Sequence, residues 1–168
     1  MSRPSTSQAR KPRVLLVPLA WILMATSTWG ARGTVAVIMH RSNPISDVSA
    51  MQLRRIYLGD QTRWSDNQRI TILLLPQGSD ERRTMLRVLL RMSEDDFMRH
   101  WISKVFRGES TAGPKTTVTA ASILKLTADL PAALGILDAE DVPAGTTTVK
   151  LLRIDGKAPG DDGYPLVP

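Results

Sequence analysis

The sequence has 168 residues, the length of one ordinary domain, and it carries a formal net charge of +6. It contains no cysteine and two histidines, which argues against disulfide frameworks and against zinc or haem sites. Nucleotide-binding glycine motifs, H-E-x-x-H and a Ser-His-Asp order are absent from it. We therefore expect neither an enzyme nor a bound cofactor.

Residues 1–30 have the organisation of a secretory signal peptide. Basic residues precede the apolar run "VLLVPLAWILMA" (14–25), and small residues follow it up to Gly30. The apolar run is shorter than the roughly 20 residues that a membrane-spanning helix needs. We predict a cleaved signal peptide over 1–30 and a periplasmic or secreted domain over 31–168, with an uncleaved membrane anchor as the alternative.

The predicted leader also changes what the net charge means. Four of the 22 Lys and Arg residues lie in it, which leaves 18 against 16 Asp and Glu in the remainder. A domain so close to neutrality is not expected to bind nucleic acid. Contact with a membrane is expected only through the leader, if it is retained.

The first half of the domain alternates strand and helix signals. "TVAVIMH" (34–40) and "ITILLL" (70–75) are short apolar runs typical of strands buried on both faces. Between them, Ser49 and Gln52 form a capping box before an apolar helical stripe, and Gly59 is placed to end that helix. The loop 60–69 is polar and carries one large aromatic residue, Trp64.

The second half continues the alternation. We predict helices over 79–91, 93–106 and 119–129, the second beginning at Ser93 and burying Phe97, Trp101 and Val105. Strands are predicted over 133–138 and 146–155, before a turn-rich tail that contains "YPLV". The fold class is therefore α/β, with a sheet covered by helices.

Five stretches in this order resemble a known family: "LRRIYLGDQTRW" (53–64), "ITILLLPQGSDERRTML" (70–86), "LPAALGILD" (130–138), "LLRIDGKAP" (151–159) and "GYPL" (163–166). They are similar to motifs of the substrate-binding proteins of phosphate ABC transporters, in the type II periplasmic binding-protein superfamily. The resemblance implies a central mixed sheet flanked by helices. It covers the second lobe of that two-lobed fold only, with 34–40 and 164–167 as the hinge strands.

The resemblance also places a ligand site at the start of the helix after strand 70–75. Family members have R-S-D-G-S-G-T there, and this chain has Leu75 through Glu81, keeping Gly78 and Ser79. The implied ligand is phosphate or another small oxyanion, and the candidate ligand-binding residues are Gln77, Gly78, Ser79 and Arg82.

The residues themselves leave two interpretations of this helix start open. Gly78 permits close approach and helix N-termini attract anions, which favours an oxyanion site. However, Ser79 is a good N-cap, and Asp80 and Glu81 in the first turn complement the helix dipole and repel anions. A self-capped helix is the stronger of the two interpretations, unless Arg82 or Arg83 turns back toward the loop.

Two further hypotheses concern partners. Arg83, Arg87 and Arg91 repeat every four residues, which predicts a basic stripe on one helix face, most simply a solvated one. A lone lobe has hinge strands that could pair with another chain, so an envelope protein partner or a homo-oligomer is the alternative to small-ligand binding.

Overall fold

The computed structural model describes residues 33–168, so the signal peptide predicted over 1–30 lies outside the described residues. The strands are β1 (Val35–His40), β2 (Asp47–Val48), β3 (Thr71–Leu74), β4 (Lys115–Thr116), β5 (Ala133–Asp138), β6 (Val149–Leu151) and β7 (Arg153–Ile154). The helices are α1 (Ala50–Tyr57), α2 (Asp80–Thr84), α3 (Glu94–Phe106) and α4 (Ala120–Asp129). A π-helical segment, Met85–Leu90, continues α2, and a 3₁₀ turn, Ala139–Asp141, follows β5.

Five strands form a mixed sheet in the order β4-β3-β5-β1-β6. β3 runs parallel to β4 and β5, whereas β1 runs antiparallel to β5 and β6. β2 and β7 form a separate parallel pair. The predicted α/β class, with a central mixed sheet flanked by helices, is confirmed.

The sheet is buried on both faces because successive side chains of its strands enter different apolar clusters. Ile38 and Leu73 lie in a cluster with Ile123 of α4, on one face. Their neighbours Met39 and Leu74 lie in the larger cluster on the other face, which α1, the π-helical segment and α3 cover. This two-sided burial explains why β1 and β3 are continuous apolar runs rather than alternating ones.

Local capping chemistry sets the helix starts as predicted. Ser49 Oγ accepts a hydrogen bond from the Gln52 amide at 3.0 Å, and Ser93 Oγ accepts one from the Asp96 amide at 3.1 Å. Gly59, with φ of +70°, follows the C-cap of α1 and donates its amide to Ile56 O. Each cap lies within a few residues of its partner, so the sequence is sufficient to identify it.

Two predicted elements are wrong in part. The predicted helix 79–91 is α2 followed by the π-helical segment, and it ends at Arg91, which has φ of +54°. The predicted strand 146–155 is divided between β6 in the main sheet and β7 in the small one. The strand is divided because its first part pairs with β1 and its second part with β2, both distant in sequence.

The buried face of α3 also differs from the prediction. Val105 is 42% exposed, and Lys104 is buried in its place. Lys104 Nζ donates to Gly59 O at 3.3 Å and to Asp60 Oδ1 at 2.6 Å, so its charge is paired where its stem is covered. The ion pair with Asp60 draws this side of the helix inward.

The two ends of the described chain meet beside β1. The Val35 amide donates to Leu166 O at 2.9 Å, and Tyr164 Oη donates to Val35 O at 2.9 Å. Residues 164–167 make these contacts without forming a strand, so the predicted return strand is wrong in its secondary structure. Pro168 lies against Gly33, where an added Cβ would come within 2.8 Å of the proline Cγ.

Among residues 33–168, no helix combines the length and the apolar character needed to cross a membrane.

Two buried tyrosines predict opposite responses to loss of the hydroxyl group. Tyr57 Oη has no hydrogen-bond partner among the described residues, whereas Tyr164 Oη bonds Val35 O; burial raises the pKa of both phenols. We expect Tyr164→Phe to lower the free energy of unfolding by about 1 kcal/mol. Tyr57→Phe should leave it unchanged or raise it, because an unsatisfied buried hydroxyl is removed. Urea denaturation measures both, and an equal loss in the two variants would contradict the assignment.

Gly135 in β5 lies directly beneath α4, where a Cβ would come within 2.5 Å of Ile123 Cγ2 and 3.0 Å of Thr127 Oγ1. We expect Gly135→Ala to destabilise the fold by about 1–3 kcal/mol, because α4 must move outward. Gly113→Ala is the matched control, since its Cβ meets Trp101 only at ordinary contact distances of 3.6 Å or more. Comparable unfolding midpoints for the two variants would contradict the close packing of α4 on β5.

Candidate functional site

The loop after β3 forms a tight turn that leads into α2. The Ser79 amide donates to Pro76 O at 3.2 Å, and Gly78 has φ of +89°, a conformation that favours glycine. No atom lies within 4 Å of the position that a Gly78 Cβ would occupy, so this side of the loop is open. Gly78 and Ser79 therefore stand at an accessible helix start, as the resemblance implies.

Ser79 is the N-cap of α2, and its hydroxyl accepts the Arg82 amide at 3.4 Å. This bond is long, so the cap is a weak one. The amides of Asp80 and Glu81 in the first turn have no hydrogen-bond partner among the described residues. The helix start is thus partly self-capped, with backbone donors remaining for a ligand or for water.

Arg82 is buried, at 4% exposure, and its guanidinium is fully engaged. Nε donates to Glu94 Oε2 at 3.0 Å, Nη2 pairs with Glu94 Oε1 at 2.5 Å, and Nη1 donates to Leu75 O at 3.1 Å. The Phe97 ring lies beneath the guanidinium, with its centroid 5.8 Å from Cζ. Arg82 does turn back toward the end of β3, and it binds the protein there.

Arg83 contacts the loop as well. Its Nη1 donates to Gly78 O at 3.2 Å, and its Nη2 pairs with Asp80. Arg87 lies one turn further on, beside the same groove. Arg91 instead lines a different hollow with Arg54 and Leu89. The predicted stripe of three arginines on one face is therefore wrong, because the π-helical segment changes the helical period after Thr84.

A groove of about 1110 Å³ lies beside this helix start. One wall consists of the 77–78 loop and the helix start that follows it, and residues 92–94 form its continuation. The end of β5 and the turn after it form the opposite wall, next to Gly33 and Pro168. Gln77 and Gly78 line the groove, so the structure brings two of the four candidate residues to it and places Ser79 at its edge.

The charge of the groove opposes the ligand that the resemblance implies. Its described lining contains two arginines, Arg83 and Arg87, and six carboxylates: Asp80, Glu81, Glu94, Asp138, Glu140 and Asp141. Some of these carboxylates are engaged, such as Glu94 with Arg82 and Asp138 with the amides of Gly33 and Glu140. Among the described lining residues, carboxylates outnumber arginines, which is unfavourable for an anion.

The acidic wall at the end of β5 was not among the candidate site residues. Its signal in the sequence is "LDAED" (137–141), in which three carboxylates follow a buried strand. Residues at strand ends commonly line ligand crevices in α/β sheets, so the position of these carboxylates could have predicted that they line a groove. Within residues 33–168, no three His, Asp or Glu side chains are placed together in a way that could hold a metal ion.

The engagement of Arg82 predicts a stability role that its neighbour Arg83 does not share. Arg82→Met leaves the Glu94 carboxylate, which is 18% exposed, without its partner, and we expect a loss of about 3 kcal/mol in the free energy of unfolding. Arg83→Met is the matched control, because its pair with Asp80 is exposed and should contribute less than about 1 kcal/mol. Chemical denaturation of both variants measures the difference, and equal losses would contradict it.

Comparison with known proteins finds solved structures with a similar fold. No family model and no curated protein matches the sequence. The fold is similar to that of an ABC-type phosphate transport receptor from Vibrio cholerae, with a TM-score of 0.58 at 17% identity. It is equally similar to a phosphate ABC transporter substrate-binding protein with bound phosphate from Clostridium perfringens, with a TM-score of 0.58 at 20% identity.

A phosphate-binding protein from Stenotrophomonas maltophilia is also similar, with a TM-score of 0.55 at 15% identity. The matches cover 75%, 73% and 77% of this chain but 48%, 45% and 41% of the three solved chains. The chain therefore spans less than half the length of these neighbours. Its fold is that of part of a phosphate-type substrate-binding protein, consistent with a single lobe.

Proposed function

We propose that this chain is an exported solute-binding-type lobe that binds phosphate or a similar small oxyanion weakly at the start of α2. The observation that carries the proposal is the open turn at Gly78 and Ser79, which presents the amides of Asp80 and Glu81 at the edge of the groove. Backbone donors at a helix start are suited to oxyanions. The solved structures of similar fold include a substrate-binding protein with bound phosphate.

Three features lead us to expect a low affinity for an oxyanion. Arg82 is bound to Glu94 and Leu75 O, and Arg83 is paired with Asp80. Neither guanidinium therefore offers an unpaired positive charge to an anion. Glu81 lies in the first turn of α2 and repels an anion bound there. A single lobe also leaves one side of the ligand exposed to water, where hydrogen bonds to an oxyanion contribute little.

Isothermal titration calorimetry with inorganic phosphate and with sulfate tests this proposal. The protein is expressed from its full coding sequence and purified from the cell envelope. We expect saturable heat with a dissociation constant of about 1 mM for at least one of the anions. The absence of heat at several millimolar of both anions, for a folded sample, would exclude the binding site.

Substitution of Glu81 separates a site at the start of α2 from non-specific anion binding. We expect Glu81→Gln to tighten phosphate binding several-fold, because it removes a carboxylate beside the proposed donors. Asp129→Asn is the matched control, since it removes one negative charge at the end of α4, away from the groove, and should leave the affinity unchanged. Equal effects of the two substitutions would indicate a response to net charge only.

A second candidate function is a protein-interaction module without a small ligand. The excess of carboxylates in the groove favours it, because a basic segment of an envelope protein complements that surface better than an oxyanion does. Affinity purification from envelope extract, compared with an Asp138→Asn, Asp141→Asn double variant, tests it. A stoichiometric partner that is retained by the parent protein and lost from the variant supports this candidate. Recovery of no partner with the parent protein contradicts it.

A further inference from the structure

A second cleft lies at the beginning of β3, at the opposite end of the strand from the groove beside α2. The turn after α1, residues 69–72 and the segment 110–115 enclose it, with a volume of about 290 Å³. We name it the β3-start cleft. Small-molecule sites begin at roughly 300 Å³, so the cleft has room for a compact ligand only.

The floor of the β3-start cleft is apolar. Ile56, Ile72 and Trp101 line it, and they are 0%, 8% and 8% exposed. The Trp101 Nε1–H is buried without a hydrogen-bond partner among the described residues. Such a donor costs free energy unless an acceptor reaches it. The floor therefore offers apolar contact and leaves one indole donor unsatisfied.

The charged residues that line the cleft are cationic. Arg69 and Lys115 belong to its described lining, and no described Asp or Glu does. The Arg69 guanidinium donates to Thr111 Oγ1, which leaves further N–H donors of the group for a ligand. Among residues 33–168, neither cation forms an ion pair with a carboxylate. The positive charge at this cleft is therefore uncompensated.

The carboxylates next to the cleft in the chain are paired elsewhere. Asp60 follows the lining residue Gly59, and it pairs with Lys104 at 2.6 Å. Glu109 precedes the lining segment 110–115, and it pairs with Arg107 at 2.5 Å. Because both carboxylates are engaged, an anion that enters the cleft does not have to displace either of them.

We propose that the β3-start cleft binds a small organic anion in which a carboxylate is attached to a compact apolar group. The apolar group packs on the floor at Ile72 and Trp101, where it displaces water. The carboxylate pairs with Arg69 and Lys115, since guanidinium donors match the two oxygens of a carboxylate. An inorganic anion lacks the apolar part and a neutral molecule lacks the charge, so this class alone complements both parts of the lining.

This site is independent of the proposed oxyanion binding at the start of α2. The two sets of described lining residues have no member in common. Carboxylates outnumber arginines in the groove beside α2, whereas the charged residues of the β3-start cleft are cations. The failure of either proposal can therefore be recognised without the other.

Calorimetric titration with benzoate tests the proposal, with benzamide as a neutral probe of similar shape. We expect benzoate to bind the envelope-purified protein with a dissociation constant of about 1 mM, because its few non-hydrogen atoms limit the affinity. Benzamide should bind about tenfold more weakly, since it carries no charge to pair with Arg69 and Lys115. The absence of saturable heat with benzoate, for a folded sample, would overturn the proposal, and so would equal affinities for the two probes.

Substitution of the two cations tests their role. We expect Arg69→Met and Lys115→Met each to weaken benzoate binding by a factor of about 3–10, because each removes one partner of the carboxylate. Lys125→Met is the matched control, since Lys125 is exposed on α4 outside the cleft lining, and its loss should leave the affinity for benzoate unchanged. An equal loss in the control would show a response to net charge only and overturn the proposal.

Nuclear magnetic resonance of isotope-labelled protein locates the bound probe. The Trp101 Nε1–H signal should shift during the benzoate titration, because the indole lies in the floor of the cleft. The Trp64 Nε1–H signal is the internal control, since this group donates to Ala132 O at 3.2 Å and Trp64 lies outside the lining. Shifts of the Gly78 and Ser79 amide signals without a shift at Trp101 would place benzoate in the groove beside α2 and overturn the proposal.

Discussion

The buried guanidinium of Arg82 is the interaction on which the arrangement around the groove depends. It joins the Leu75 carbonyl, just after β3, to Glu94 and the Phe97 ring at the start of α3, two parts of the chain that are distant in sequence. A buried charge with fewer partners would be strongly unfavourable. Displacing either of these segments would therefore leave the guanidinium under-paired and destabilise the position of the other. The position of the loop at Gly78, and therefore the shape of the groove, follows from that constraint.

The same constraint affects the chemistry at the start of α2. In this chain, the arginine near the helix start serves the structure, and carboxylates occupy the positions around it. The backbone geometry suited to an oxyanion and a surface charge opposed to one therefore coexist at the same site.

Much of the fold could be predicted from the sequence, because the signals were local. The caps Ser49 and Ser93 act on amides three residues away, and β1 and β3 are apolar runs of strand length. The two-residue strands β2 and β4 were not predicted, since they exist only through parallel pairing with distant segments. The burial of Lys104 in place of the predicted Val105 could not be foreseen, because its partner Asp60 lies 44 residues earlier.

The buried contact between Val35 and Leu166 brings the two ends of the described chain next to each other, with Gly33 against Pro168. A unit with adjacent ends can be inserted into a loop of another protein, or removed from one, without interrupting any strand of its sheet.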